Sequence, residues 1–241
     1  MEIFADMHTH TVASTHAYST IMEMAKAAQE RGLEFLACTD HTPASVDGPH
    51  LWHFHNLHKA IPRYLYGVGI IYGAEASVAD YSGRLDFPDE ECEKLDWIVG
   101  SVHTEILPSG TLEQNTAAYL GLATNPFVKV IGHPANAKFD FDYETAVKAF
   151  AANNKLVEVN ENTLLWKNSE ACYRKLLPVC RKHDVRLIVN TDAHFCGAVG
   201  KAERSLALLS ELDYPKELIV NIRRGNGDTP LQRFLKDICS E

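Results

Sequence analysis

The sequence predicts an α/β fold: a closed barrel of parallel strands, each followed by a helix. Three observations carry this prediction. Short apolar runs alternate with helix-period segments along the 241-residue chain. Histidines and carboxylates recur where those runs end. The length suits one barrel, since α/β barrels run to about 200–250 residues as a single domain. Residues 1–241 are therefore read as one domain.

The elements follow in order. Residues 3–7 form the first strand. Residues 20–31 form a helix, with Ile21, Met24, Ala25 and Ala28 at i, i+3, i+4 and i+7, Ser19 as N-cap and Gly32 as stop. Residues 34–39 are the second strand. Residues 52–65 look helical, but Pro62 must end or kink them. Residues 69–74 are the third strand, and Tyr81-Ser82-Gly83 marks a tight turn in a small hairpin arm. Residues 97–102 are the fourth strand, 111–123 a helix and 128–131 the fifth strand. Residues 143–153 are a helix with Ala146, Ala149 and Phe150 in phase, and 156–159 are the sixth strand. A helix over 169–182 is disturbed by Pro178 and leads to the seventh strand, 186–189. Helices over 201–212 and from Thr229, an N-cap with Pro230 at N1, complete the chain. Strict alternation argues for parallel strands with crossover helices, in either an open sheet or a barrel.

Composition narrows the class. Apolar residues are 46 % and charged residues 23 %, which excludes a disordered chain, a collagen-like chain and a disulfide miniprotein. No apolar run reaches the roughly 18 residues of a membrane span. The first six residues have neither a basic region nor an apolar stretch, so no secretory signal is expected. The net charge of −9 and the absence of Lys/Arg runs beyond a pair argue against nucleic-acid binding, though not against a small anionic substrate. The six cysteines form no Cys-x-x-Cys pair and are read as reduced, in a cytoplasmic protein. Cys172 and Cys180 share a helical face and are expected in the core.

The twelve histidines are unusual. His8 and His10 follow the first strand, His41 the second, Glu75 the third, His103 the fourth, His133 the fifth, and Asp192 and His194 the seventh; His16 lies in the first loop. The sixth strand ends in Glu158-Val159-Asn160-Glu161-Asn162. In a barrel these ends converge on one mouth, whereas an open sheet would string them along an edge. That convergence favours the barrel. Imidazole and carboxylate together suit zinc, manganese, iron or nickel. Nine ligand-type residues exceed one ion's needs and divide among two or three. His8 and His10, at i and i+2, share one side of an extended segment and so can serve one ion. A single strand-end histidine is usually structural; the coincidence of the set is what points to metal. His50, His53, His55 and His58 fit either an active-site rim or a solvated helix face. His183 reads as a surface residue at a helix end, and Trp52 and Trp166 as either mouth-lining or packing.

Asp6-Met7-His8-Thr9-His10, Thr39-Asp40-His41, Ile131-Gly132-His133-Pro134 and Asp192-Ala193-His194 resemble the motifs of the PHP (polymerase and histidinol phosphatase) superfamily. The runs 11–20, 49–56 and 69–76 resemble the YcdX group of bacterial PHP phosphatases. This resemblance spans nearly the whole chain and implies a distorted (β/α)7, TIM-like barrel with a trinuclear site at the strand C-termini. The metal is usually zinc, with manganese or iron as alternatives. It implies one ion on His8, His10, Glu75 and Asp192, a second on Glu75, His103 and His133, and a third on His16, His41 and His194. Two departures touch no ligand: Ser101-Val102 precedes His103 in place of a Gly-aromatic pair, and the tail at 225–227 is altered.

The expected activity is hydrolysis of phosphate monoesters with a bridging hydroxide as nucleophile. Asp192 is a candidate proton shuttle. Asp40 either orients a ligand histidine or is a turn residue. A phosphodiesterase or nuclease, an amidohydrolase and a non-catalytic metal barrel are the competing readings. The expected partner is a small phosphorylated substrate, set by rim loops 42–58, 76–88 and 161–169, with no membrane. Histidinol phosphate is not favoured, and the family makes a homotrimer plausible.

Overall fold

The structure, a computed structural model, describes residues 1–225 and 227–240; Asn226, in the altered tail, lies outside them. The strands are β1 (Ala5–Asp6), β2 (Phe35–Cys38), β3 (Tyr64–Leu65), β4 (Val68–Ser77), β5 (Trp97–Ser101), β6 (Val128–Ile131), β7 (Leu156–Asn160) and β8 (Leu187–Asn190). The helices are α1 (Ile21–Glu30), α2 (Trp52–Ala60), α3 (Asp89–Cys92), α4 (Leu112–Thr124), α5 (Tyr143–Ala152), α6 (Ser169–Lys182), α7 (Glu203–Glu211) and α8 (Pro230–Ser240). The sheet runs β1-β2-β4-β5-β6-β7-β8 with every neighbouring pair parallel. These are the seven strands the sequence predicts. The additional β3 pairs antiparallel with β4.

The boundaries that differ have local causes. The N-cap of α1 is Thr20, not Ser19: Thr20 accepts from Glu23 N while the Glu23 carboxylate takes Thr20 N. Ser19 is buried, and its hydroxyl accepts from Cys196 N at 3.0 Å. Helix α2 stops at Ala60 because Pro62 forces Ile61 into an extended conformation (φ −108°, ψ 127°). The chain then turns at Tyr66 and Gly67, both at positive φ, into β4. Strand β4 is longer than expected because its two halves serve different neighbours. Residues 69–72 pair with β2 and 73–77 with β5. Glu75 consequently sits inside a strand. Cys172 is only partly buried, whereas Cys180 is in the core.

Closure between β8 and β1 is uneven. At the C-terminal end, Asp192 N donates to His8 O and His10 N to Ala193 O, both at 2.9 Å. Toward the other end, residues 219–222 wedge between the strands: Val220 N donates to Leu187 O and Phe4 N to Asn221 O, both at 2.9 Å. The Asn221 amide replaces the missing ladder. Its Nδ2 donates to Ala5 O (2.9 Å) and Val189 O (2.6 Å), and its Oδ1 accepts from Val189 N (3.0 Å). Buried backbone groups must be paired, and here one side chain satisfies both edges.

One apolar cluster fills the barrel interior, including Phe4, Met7, Phe35, Ile71, Trp97 and Val130. Leu235 and Cys239 of α8 join it and plug the N-terminal end. The interior is thus solid below, and polar side chains are left to the opposite mouth. Among the described residues, no helix is long and apolar enough to cross a membrane.

Candidate metal centre

The mouth gathers the strand-end residues. The Glu75 carboxylate lies at the middle, buried. Its Oε1 is 2.8 Å from His133 Nε2 and 3.3 Å from His103 Nε2. Its Oε2 is 3.3 Å from His8 Nε2, 3.4 Å from His10 Nε2 and 3.0 Å from His41 Nδ1. Asp192 Oδ1 lies 3.1 Å from His10 Nε2 and 3.6 Å from His8 Nε2. The His16 ring centroid is 4.2 Å from that of His194 and 5.4 Å from that of His41. His10 also approaches this last group, since ligand atoms of His10, His41 and His194 lie within 4.8 Å of one another. All nine strand-end and loop residues named from the sequence therefore meet.

The loop that brings His16 inward is stapled at both ends. Val12 N donates to Ser19 O (2.9 Å) and Tyr18 N to His194 O (2.8 Å). His133 and Asp192 hold positive φ values of 25° and 55°. Such backbone is uncommon for non-glycine residues and is characteristic of functional sites.

Several ring nitrogens are anchored from behind. His8 Nδ1 meets Glu158 Oε1 at 2.8 Å, His103 Nδ1 meets Ser77 Oγ at 2.7 Å, and His16 Nδ1 meets Asp47 Oδ2 at 2.6 Å. His194 Nδ1 meets Asp192 O at 2.9 Å, and His10 Nδ1 lies 3.4 Å from Ser14 Oγ. For His8, His10 and His103 the other nitrogen faces Glu75. Metal-ligating histidines are oriented in this way.

Five of the atoms turned toward the centre lack hydrogen-bond partners. His8 Nε2, His10 Nε2, His41 Nδ1, Asp192 Oδ1 and His194 Nε2 are buried without a hydrogen bond. Buried polar atoms are rarely left so, and a cluster of imidazole and carboxylate orphans fits divalent cations.

The charges agree. Burial disfavours protonation of His8, yet Glu158, Glu75 and Asp192 outweigh it and hold its pKa well above the ordinary value. Burial likewise opposes protonation of His41, but Glu75 raises it to about 9. Burial and the neighbouring His41 push His10 down to about 3. Burial alone would raise Glu75 and Asp192; the surrounding histidines, His8 first, hold both well below the carboxylate range. Both acids are ready to bind cations.

Asp40 stands behind the centre and is fully buried. Its Oδ1 accepts from Thr11 N and Ser14 Oγ, both at 2.8 Å. Its Oδ2 accepts from Thr11 Oγ1 (2.8 Å) and faces His53 Nε2 (3.1 Å). Ser14 Oγ also accepts from His41 N at 3.1 Å. Asp40 thus ties the His10–His16 loop to the end of β2.

The second histidine group divides. His53 reaches Asp40, His55 lies 3.6 Å from Glu91 Oε2, and His50 accepts from Trp52 N at 3.2 Å. Trp52 is 70 % exposed beside His55 and Glu91, away from the mouth, whereas Trp166 lines it. His183 closes α6 and meets Glu144 Oε1 at 2.9 Å.

Three important residues carry no role assigned from the sequence. Glu158 and Asn160 alternate with Val157 and Val159, which in a barrel strand places the polar pair on one face. Asp47 has a fainter signal. It precedes Gly48, where a Cβ would come within 2.2 Å of Thr42 O, so this tight turn requires glycine. The turn delivers Asp47 to His16.

A match to the PHP domain over residues 6–162 covers most of the chain and contains Glu158 as well as seven of the nine named residues. The chain belongs to the PHP family. It is 43 % identical over 222 residues to a probable phosphatase of Acetivibrio thermocellus, covering 92 % of each protein. It is 37 % identical over 238 residues to one from Clostridium botulinum, covering 98 % of this chain and 96 % of that one. Its fold resembles that of histidinol phosphate phosphatase from Lactococcus lactis, solved with zinc, L-histidinol and phosphate. The TM-score is 0.62 at 16 % identity, over 88 % of this chain and 94 % of that one. A histidinol phosphatase described as putative, from Listeria monocytogenes, matches with TM-score 0.61 at 16 % identity, covering 83 % and 99 %.

In this PHP barrel the cluster floors a cavity of about 690 Å³. Asp47 and Glu105 line it on the side of β2 and β5. Asn136, Lys138, Trp166 and Lys167 line it beyond β6 and β7.

Proposed function

We propose that this chain is a metal-dependent phosphomonoesterase that holds three divalent ions, most naturally zinc. The observation that carries this is the division of Glu75: one oxygen faces His103 and His133, the other His8, His10 and His41. A carboxylate so placed suits a bridge between two ions. One site would use His8, His10, Glu75 and Asp192, the next Glu75, His103 and His133, and the third His16, His41 and His194. The relatives named as probable phosphatases, and the fold neighbour solved with zinc, L-histidinol and phosphate, support the reading.

When bound, divalent ions lower the pKa of water toward about 7 and neutralise charge on a phosphoryl oxygen. The rest of the work falls to the chain. Glu158 fixes the His8 ring and, by accepting from His133 N at 2.8 Å, the backbone of His133. Asp40 acts as a positioning residue through Thr11 and Ser14. Asp192 is held ionised, which suits a ligand; its Oδ2 accepts from Asn160 Nδ2 at 3.3 Å and lies at the cavity floor. With a net charge of −9 and no Lys/Arg run longer than a pair, the chain favours a small phosphate ester over a polynucleotide.

The test is hydrolysis of phenyl phosphate against bis(p-nitrophenyl) phosphate by metal-reconstituted protein. Preferential turnover of the monoester supports the proposal. Preferential turnover of the diester, or turnover of neither, rejects it.

A further inference from the structure

The cavity wall beyond β7 has a construction that the metal centre does not use. Helix α6 begins there. Its N-cap, Asn168, is left-handed (φ 69°) and makes no side-chain capping bond. Among the described residues, the first-turn amides of Glu170 and Ala171 have no acceptor outside the helix. Glu170, the acidic residue of that turn, is taken by Arg174, 2.8 Å from its Nε. The helix N-terminus therefore retains its partial positive charge.

A second observation is independent of the helix end. Ser169 lines the cavity and is fully buried, yet its hydroxyl has no partner. A buried hydroxyl left unpartnered at a cavity wall calls for an acceptor. Lys167 stands beside it, and Lys138 reaches the same half of the rim from the β6 loop. Among the described residues, neither lysine's Nζ has an ion-pair or hydrogen-bond partner; Lys138 bonds only through its backbone N, to Asn136 Oδ1. Trp166 is 39 % exposed with its ring centroid 5.7 Å from that of His133. An aromatic ring therefore lies beside a metal ligand on the cavity wall that carries Lys167.

We propose that the N-terminal turn of α6, with Lys167 and Trp166 before it, is a leaving-group subsite for a second anion. The preferred substrates are then phosphomonoesters whose leaving group joins a flat face to a carboxylate or a further phosphate. This rests on the phosphatase reading for the first phosphate. The second anion is held by Lys167 and the Ser169 hydroxyl at the N-terminal end of α6, while Trp166 packs against the flat part.

Phenyl phosphate is compared with 4-carboxyphenyl phosphate and 4-(phosphonomethyl)phenyl phosphate on the metal-loaded protein. The acid-bearing ester favoured in kcat/KM shows whether the subsite takes a carboxylate or a phosphate-like group. We expect a preference of about tenfold over phenyl phosphate for at least one, the scale of one charge-assisted hydrogen bond. In Lys167→Ala and Ser169→Ala the ratio falls toward one. A ratio near one in the parent protein, or a tenfold ratio that survives both substitutions, overturns the proposal. If no ester is hydrolysed, the phosphatase reading fails and binding decides the subsite separately. Calorimetry would then compare phenylphosphonate with 4-carboxyphenylphosphonate and 4-(phosphonomethyl)phenylphosphonate. At least one acid-bearing ligand must bind about tenfold more tightly, with Lys167→Ala removing the difference; equal affinities overturn it.

Discussion

Replacing Glu158 by glutamine changes one atom and tests whether the second layer of the centre controls the first. Glu158 is buried and accepts four hydrogen bonds: from His8 Nδ1, Asn190 Nδ2 and His133 N at 2.8 Å, and from Asn160 Nδ2 at 3.0 Å. An amide offers one acceptor oxygen and one donor group, so two of these donors would face an N–H. Each buried donor left without an acceptor costs about 1–3 kcal/mol, which gives a total of about 2–6 kcal/mol. Part of that reaches the metals, because the His8 ring loses its anionic anchor or His133 loses its backbone anchor. Loss of such a partner typically lowers metal affinity or activity about 10–100-fold, or about 1.4–2.7 kcal/mol. The remainder lowers the melting temperature. Chelator competition gives affinity, phenyl phosphate hydrolysis gives kcat, and a melt of the metal-free protein gives stability. Glu144→Gln, on the surface, is the control. Metal affinity and kcat within twofold of the parent, in folded Glu158→Gln, would refute the reasoning.

Three further outcomes follow from the same geometry. Asp47→Asn should weaken one of the three proposed ions, because among the described residues the histidines Asp47 meets are His16, which it anchors, and His41, which it approaches; uniform weakening of all three would contradict this. Metal uptake should release protons at pH 7. His8 is raised and His41 lies at about 9 in the metal-free protein, so both carry protons that ligation expels. Apparent affinity therefore rises with pH toward about 9, where His41 begins to deprotonate unaided. Calorimetry in buffers of differing ionisation enthalpy reads this directly, and no net release at pH 7 would count against it. Leu235→Ala opens a hole in the barrel floor, far from the metals. It should cost about 2–5 kcal/mol and about 5–15 °C in Tm, with specific activity within twofold; a melting temperature unchanged within error would contradict the plug.

Much of the fold was legible because its signals are local. The 3.6-residue period of α1 and the apolar runs of β2 and β8 need no tertiary information. The site was legible for a topological reason: parallel strands bring their C-terminal ends together, so residues far apart in sequence converge. What failed depended on competition between neighbours. Ser19 and Thr20 are both good caps, and only the Glu23 side chain and the burial of Ser19 decide between them. The full length of β4 depends on its serving two partners, which no period reveals. Glu158 was visible as a polar strand-end residue, but its role needs the position of His8, 150 residues away. The seam at Asn221 is invisible for the same reason: its partners lie at positions 5 and 189.

The central claim is that Glu75 joins two ions within a set of three that performs ester hydrolysis. The most direct measurement counts metal per chain by elemental analysis of reconstituted parent, Glu75→Gln and Asp192→Asn proteins, alongside phenyl phosphate turnover of each. Three ions with turnover in the parent, loss of at least one ion in each variant, and turnover abolished in both is the predicted result. Fewer than two ions in the parent, or full turnover after Glu75→Gln, would contradict it.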